Sequence, residues 1–211
     1  MSSLDKLLSR ASSSLSEHVP ELSVELFEMA GDLACALLAM LERCNGFYAL
    51  ESALHVFSTR SSQHEISIFD WNENSLWRDG YDGLVDGCLF FAEDIFGGQF
   101  CIKNNKIYTF DPETGSLEFL AQDIEEWAQL LVSDYEVLTG YPLAHRWQKK
   151  NGQLAAGKRL LPKIPFVLGG GFVLDNLYSI DAVKGMKLRA DIARQIKDLP
   201  DGAQIKLRLD S

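Results

Sequence analysis

Residues 89–131 read LFFAEDIFGGQFCIKNNKIYTFDPETGSLEFLAQDIEEWAQLL, and their pattern decides the fold. Four strand-like runs occupy 88–93 (CLFFAE), 99–103 (QFCIK), 106–110 (KIYTF) and 117–121 (LEFLA). Aromatic and β-branched residues dominate them, as a pleated, half-buried surface favours. The junctions carry turn chemistry: Gly97-Gly98, Asn104-Asn105 and the DPETG run at 111–115. Connections this short join antiparallel neighbours, because a parallel crossover needs a dozen or more residues. The apolar period then lengthens. Ile124, Trp127, Leu130, Leu131 and Leu138 mark one face of a helix over 123–138. Asp123 suits its N-cap, Glu125 and Glu126 its positive first turn, and Gly140 its end. The expected class is α+β: a central, mostly antiparallel sheet wrapped by helices.

Working outward, helical spacing covers 4–15 (Leu4, Leu7, Leu8, Ala11, Leu15). It returns over 21–44, which Pro20 opens and Asn45-Gly46 closes. Short strands are expected at 53–58 (ALHVFS) and, from clean alternation, at 65–70 (EISIFD). The connector DWNENSLWRDGYDGLVDG (70–87) is acidic, with turns suggested at its glycines and Trp71 and Trp77 as anchors. Beyond residue 140 the composition turns basic. Residues 142–163 read as partly helical, and IPFVLGGGFVLDNLYSID (164–181) as two short extended pieces around a glycine turn. A helix is expected over 181–197 and an edge strand at 203–209 (AQIKLRL). The expected organisation is a domain at 1–140 and a basic extension at 141–211 packed on it, a free tail being the alternative.

The net charge of −10 argues against non-specific nucleic-acid binding, which needs a basic field. Its distribution says more: −4 over residues 1–60, −13 over 61–140 and +7 over 141–211. Such a division fits two functional faces, two halves that attract each other, or simply a solvated surface. No run reaches the ~20 apolar residues that cross a bilayer. The start MSSLDKLLSR lacks the basic-then-apolar order of a signal peptide. Cys35, Cys44, Cys88 and Cys101 are scattered among apolar neighbours and read as reduced core residues. A soluble, cytoplasmic protein is expected.

A search for chemistry finds little. His18, His55, His64 and His145 lack metal-ligand spacing. DPETG lacks a calcium loop's closing acidic residue, Gln122 standing there. Residues 152–158 (GQLAAGK) have the glycine and lysine spacing of a phosphate loop, but Arg159 replaces the magnesium-binding hydroxyl. Gly169-Gly170-Gly171 fits a tight turn better than a dinucleotide fingerprint. There is no GxSxG elbow. Glu93 and Asp94 are adjacent on a strand and point to opposite faces. The sequence therefore predicts no catalytic residue, cofactor or metal, and no small-molecule substrate.

The central stretch resembles the SUKH superfamily, which includes the Smi/Knr cell-wall-assembly regulators. The resemblance rests on a strand leading into an acidic turn, a Gly-Gly-x-Phe entry to the next strand, Asp-Pro-x-Thr-Gly, and a helix containing Glu-Trp. CNGFYALESALHVF (44–57) is similar to the family's earlier segment, and Trp77 to its tryptophan before the meander. The likeness spans roughly residues 35–140. Gly98 departs from it, since members often carry Asp or Asn there. The resemblance implies a binding scaffold, in many bacterial members an immunity protein that neutralises a toxin. The expected partner is a basic toxin domain such as a nuclease, met by Trp77, Asp79, Asp82, Asp86, Glu93 and Asp94. The alternative is a housekeeping adaptor or regulator of the Smi/Knr type.

Overall fold

The computed structural model describes residues 1–200 with Gly202 and Ala203. The edge strand expected at 203–209 therefore lies outside the described residues from Gln204 onward. Six strands form one antiparallel sheet in chain order: β1 (Phe47–Ala49), β2 (Leu54–Val56), β3 (Leu89–Asp94), β4 (Gln99–Lys103), β5 (Lys106–Phe110) and β6 (Leu117–Ala121). Asn104 and Asn105 both take positive φ, 50° and 59°, so a two-residue turn joins Lys103 to its partner Lys106. The β3–β4 register shifts between Phe90 and Ala92. The unbroken apolar run reflects cover on both faces of β3: Phe90 packs on Trp77 and Phe110, while Phe91 packs on Trp127.

The early helices are shorter than their periodicity predicts. Helix α1 (Ser3–Leu8) starts in a capping box between Ser2 and Asp5. Ala11 then leaves it to bridge Ala49 at the edge of β1. The helix expected over 21–44 is two, α2 (Val24–Ala30) and α3 (Ala34–Arg43), with a 3₁₀ turn between. Gly31 breaks it at φ 56°, where a side chain would also collide with Asn105. The strand expected at 65–70 is not one. Ser67 accepts the Asp70 N–H at 3.1 Å and starts the short helix α4 (Ile68–Trp71). Ile68 and Trp71 are both buried, so the alternating run also satisfied a helical period.

After β6, Asp123 caps α5 (Ile124–Ser133), which continues as α6 (Tyr135–Thr139). Trp127 of α5 meets Phe91 and Phe100 on one face of the sheet. The chain then runs through α7 (Tyr141–Asn151), β7 (Lys158–Pro162), β8 (Leu177–Asp181) and α8 (Ala182–Ile196). Residues 152–158 lead from a helix into a strand, the reverse of the strand-to-helix order of a phosphate loop. Only β8 of the two extended pieces expected at 164–181 is a strand; 3₁₀ turns at Phe166–Leu168 and Leu174–Asn176 replace the rest. Ala182, Met186, Ala190 and Ala193 of α8 join the main core, and the Tyr81 hydroxyl donates to Met186 O at 3.1 Å. The Leu160 N–H of β7 donates to Ile95 O at 2.9 Å. Cys44, Cys88 and Cys101 are buried, but Cys35 is exposed on α3, against the sequence expectation.

One polar cluster lies inside these layers. Glu93 is 1% exposed. The Arg159 Nε stands 2.8 Å from its Oε1 as an ion pair, and His55 Nδ1 3.0 Å from the same oxygen. Gln99 donates to Oε2 at 3.2 Å and accepts the Trp71 indole N–H at 2.9 Å. On the far side His55 faces Glu65 at 3.3 Å, and Tyr48 donates to that carboxylate at 3.2 Å. Burial alone would push the Glu93 carboxyl up, but Arg159, His55 and Gln99 outweigh it and hold the carboxyl below its usual range. Arg159→Met leaves that carboxylate buried and unmatched, and should lower the unfolding free energy by about 3–5 kcal/mol in urea titrations. Adding Glu93→Gln should recover part of the loss, as contacting partners do in a double-mutant cycle.

Candidate functional site

Of the residues expected to meet a partner, two are inside. Trp77 is 2% exposed, between Trp71, Tyr81 and Phe90. Glu93 belongs to the buried cluster, so it cannot contribute to an exposed acidic face. Its position at a strand end hid this, because its cation comes from residue 159. Asp79, Asp82 and Asp86 are exposed. Asp82 is partly engaged, since Lys197 donates to it at 2.9 Å. The basic end of the chain thus reaches the acidic middle both inside, at Glu93, and outside, at Asp82.

Asp94 lies elsewhere, in a cavity of about 320 Å³ at the end of the sheet where β3 turns into β4 and β5 into β6. Its Oδ1 accepts the N–H groups of Phe96 at 2.7 Å and Gly98 at 2.9 Å. A side chain at position 98 would run into the other oxygen, Oδ2, which explains glycine there. Burial pushes the Asp94 carboxyl up to about 7, the two N–H groups and Arg189 offsetting only part of that cost. Glu113, from the turn after β5, also lines the cavity and is 4% exposed. Burial raises its pKa too, although its Oε2 accepts the Val167 N–H at 2.9 Å.

Arg189 of α8 forms the third charged wall. Its N–H groups go to carbonyls: Phe96 O at 2.6 Å, Gly185 O at 3.1 Å and Gly97 O at 3.4 Å. No carboxylate among the described residues lies within ion-pair distance of it. The outer wall is the glycine-rich loop between β7 and β8. Phe166 and Phe172 stack with centroids 3.9 Å apart and planes 7° apart, and Phe96 meets both edge-on. Gly170 lets the loop fold over itself, since a side chain there would strike Ile164 O. Asn176 fixes the loop from inside, donating to Ile164 O and Gly171 O at 3.0 Å and accepting the Ile164 N–H at 2.9 Å. Ile164, Val167, Phe172 and Val173 remain exposed on its outer side.

The chain matches no family model and no curated protein. Its fold is similar to the crystal structure of Atu4351 from Agrobacterium tumefaciens. The TM-score is 0.56 over 87% of this chain and 86% of that one, at 13% identity. At that identity the likeness establishes the fold alone, an α+β architecture built on the antiparallel sheet. No helix among the described residues is long and apolar enough to cross a membrane, and no group of three metal-ligating side chains occurs among them.

Sequence reasoning missed Glu113, Arg189, Phe166 and Phe172. The three glycines flanked by phenylalanines were the available signal, but they fit any tight turn. The Asp94 carboxyl holds its proton more firmly folded than unfolded. Its ionisation therefore erodes stability as pH rises from 3.8 to about 7, by at most about 1.4 kcal/mol per pH unit. Asp94→Asn keeps the acceptor for Phe96 and Gly98 without the charge. Its melting temperature should overtake that of the parent protein as pH is raised from 4 to 8, by differential scanning calorimetry.

Proposed function

We propose that this protein is a non-catalytic, protein-binding module on a SUKH-like scaffold, an immunity-type protein that neutralises a toxin by direct binding. The observation that carries the reading is the loop over residues 164–173. It exposes four large apolar side chains, Ile164, Val167, Phe172 and Val173, within one ten-residue loop. Exposed apolar groups gathered in this way mark interaction sites. Asn176 and Glu113 hold the loop in one conformation, so little ordering entropy opposes binding.

The surroundings supply the electrostatic half. Asp111 and Glu118 are exposed at the mouth of the neighbouring cavity, and Asp79 and Asp86 add charge on the acidic segment. A basic toxin domain would be drawn to such a surface at a rate that falls with salt. The proposed contact face is therefore the aromatic loop with its acidic border. Trp77 and Glu93 act from within, by holding the scaffold.

The test is recovery of a partner from native cells at low salt on the tagged protein, side by side with Phe172→Asp. A hot-spot aromatic contributes ~2 kcal/mol or more, so the variant should lose about thirtyfold in affinity for the recovered protein. Its melting temperature should fall only modestly, because Phe172 is 60% exposed although stacked on Phe166. Equal binding by the variant would remove the loop from the interface. Recovery of regulatory or envelope proteins alone would favour an adaptor over an immunity role.

A further inference from the structure

The cavity beside the loop carries a charge imbalance that its own residues do not resolve. Four carboxylates line it, Asp94, Asp111, Glu113 and Glu118, against one cation, Arg189. Arg189 donates to three backbone carbonyls and to Met186 Sδ, and makes no ion pair with these carboxylates among the described residues. Glu113 is buried and has no ion-pair partner among the described residues. Asp94 lines the cavity, and its Oδ2, beside Gly98, has no hydrogen bond among the described residues. Asp111 and Glu118 are exposed at the mouth, whereas Glu113 is buried with the Val167 N–H, at 2.9 Å, on its carboxylate. Buried carboxylates are ordinarily paired.

The remaining wall is aromatic. Phe96, Phe166 and Phe172 form a packed set whose outer member is open to solvent. A flat, weakly hydrated cation suits carboxylates combined with phenyl rings. A guanidinium forks onto carboxylate oxygens and stacks on a ring, whereas an ammonium is compact and strongly hydrated. The cavity, about 320 Å³, is at the small end of ligand pockets and has the scale of one long side chain.

We propose that this cavity is the receptor for one arginine side chain of the protein partner, its guanidinium taken between Asp94 and Glu113 against the Phe166–Phe172 pair. The proposal rests on the protein-binding reading above and adds the chemistry by which the partner is recognised. It also makes recognition pH-dependent. Asp94 must be ionised to hold the cation, and at its ordinary resting state it titrates at about 7. The groups that face it are Arg189 from α8, Arg159 from β7 and the N–H groups of Phe96 and Gly98, with Asp111, Glu113 and Glu118 around the cavity. Affinity should therefore rise about tenfold from pH 6 to pH 8, as the ionised fraction of such a group does.

The probe is an arginine blocked at both ends, Nα-acetyl-arginine N-methylamide, with the matching lysine compound as control. Both are titrated into the isotope-labelled full chain by NMR at pH 8 and low salt. The expected result is saturable shifts at Asp94–Gly98, Glu113 and Phe166–Phe172, with the lysine compound at least tenfold weaker. Asp94→Asn with Glu113→Gln should lose at least tenfold in affinity. These near-isosteric changes keep the side-chain acceptors of the backbone N–H groups, and unchanged spectra elsewhere would show that the fold survives. The blocked arginine should also compete with the recovered partner. No saturable shift at these residues, or equal binding by the double variant or the lysine compound, would overturn the proposal. In that case a loss of partner binding in Phe172→Asp would still leave the protein-binding reading standing. Binding of the probe without any competition with the partner would assign the cavity to a free guanidinium compound and overturn the link to the partner.

Discussion

A carboxylate placed inside a sheet must be matched from every side, and at Glu93 the matching groups arrive from distant parts of the chain. His55 comes from β2, Gln99 from β4 and Arg159 from β7. Removing a carboxylate and a guanidinium from water costs several kcal/mol each, and close pairing with good neighbours offsets that cost only when all are present. The cluster therefore contributes specificity as much as stability: one register of β2, β3 and β4, and one position of β7, bring these groups together. Tyr48, stacked on His55 at 4.4 Å and lying under the Arg159 guanidinium at 5.5 Å, extends the same constraint to β1.

The cavity follows from that docking. With β7 held against the end of β3, the loop between β7 and β8 falls across the turn at Phe96–Gly98, and α8 brings Arg189 to its carbonyls. The aromatic wall, the buried Glu113 and the raised Asp94 are thus consequences of where the C-terminal part sits. The acidic middle and basic end of the sequence pair at two points among the described residues, Glu93 with Arg159 and Asp82 with Lys197. Exposed carboxylates at the surface include those at the rim of the cavity, Asp111 and Glu118, and those of the segment around Asp79 and Asp86.

Much of the fold was legible because it is local. The four meander strands, their turns and α5 each carry their signal within a few residues, and Asp123 caps α5 where its position implies. Errors arose where a pattern fitted two structures. EISIFD alternates, yet Ser67 caps a helical turn in which Ile68 and Trp71 share a face. The apolar stripe of 21–44 runs unbroken through Gly31, whose reversal depends on Asn105 in a distant turn. The candidate site was less legible, since only Asp94 of its charged groups was singled out. Its other walls come from positions 113, 166, 172 and 189, and no spacing rule joins residues that only tertiary docking brings together.

The central claim is that the C-terminal part and the meander form one cooperative unit through the Glu93 cluster. Native-state hydrogen exchange tests it most directly. Leu160 and Leu161 in β7 should open with the same free energy as Phe91 and Phe100 in the meander, and Arg159→Met should lower all of them together. Exchange of β7 and α8 through an opening cheaper by more than about 2 kcal/mol, while the meander amides stayed protected, would contradict a single cooperative unit.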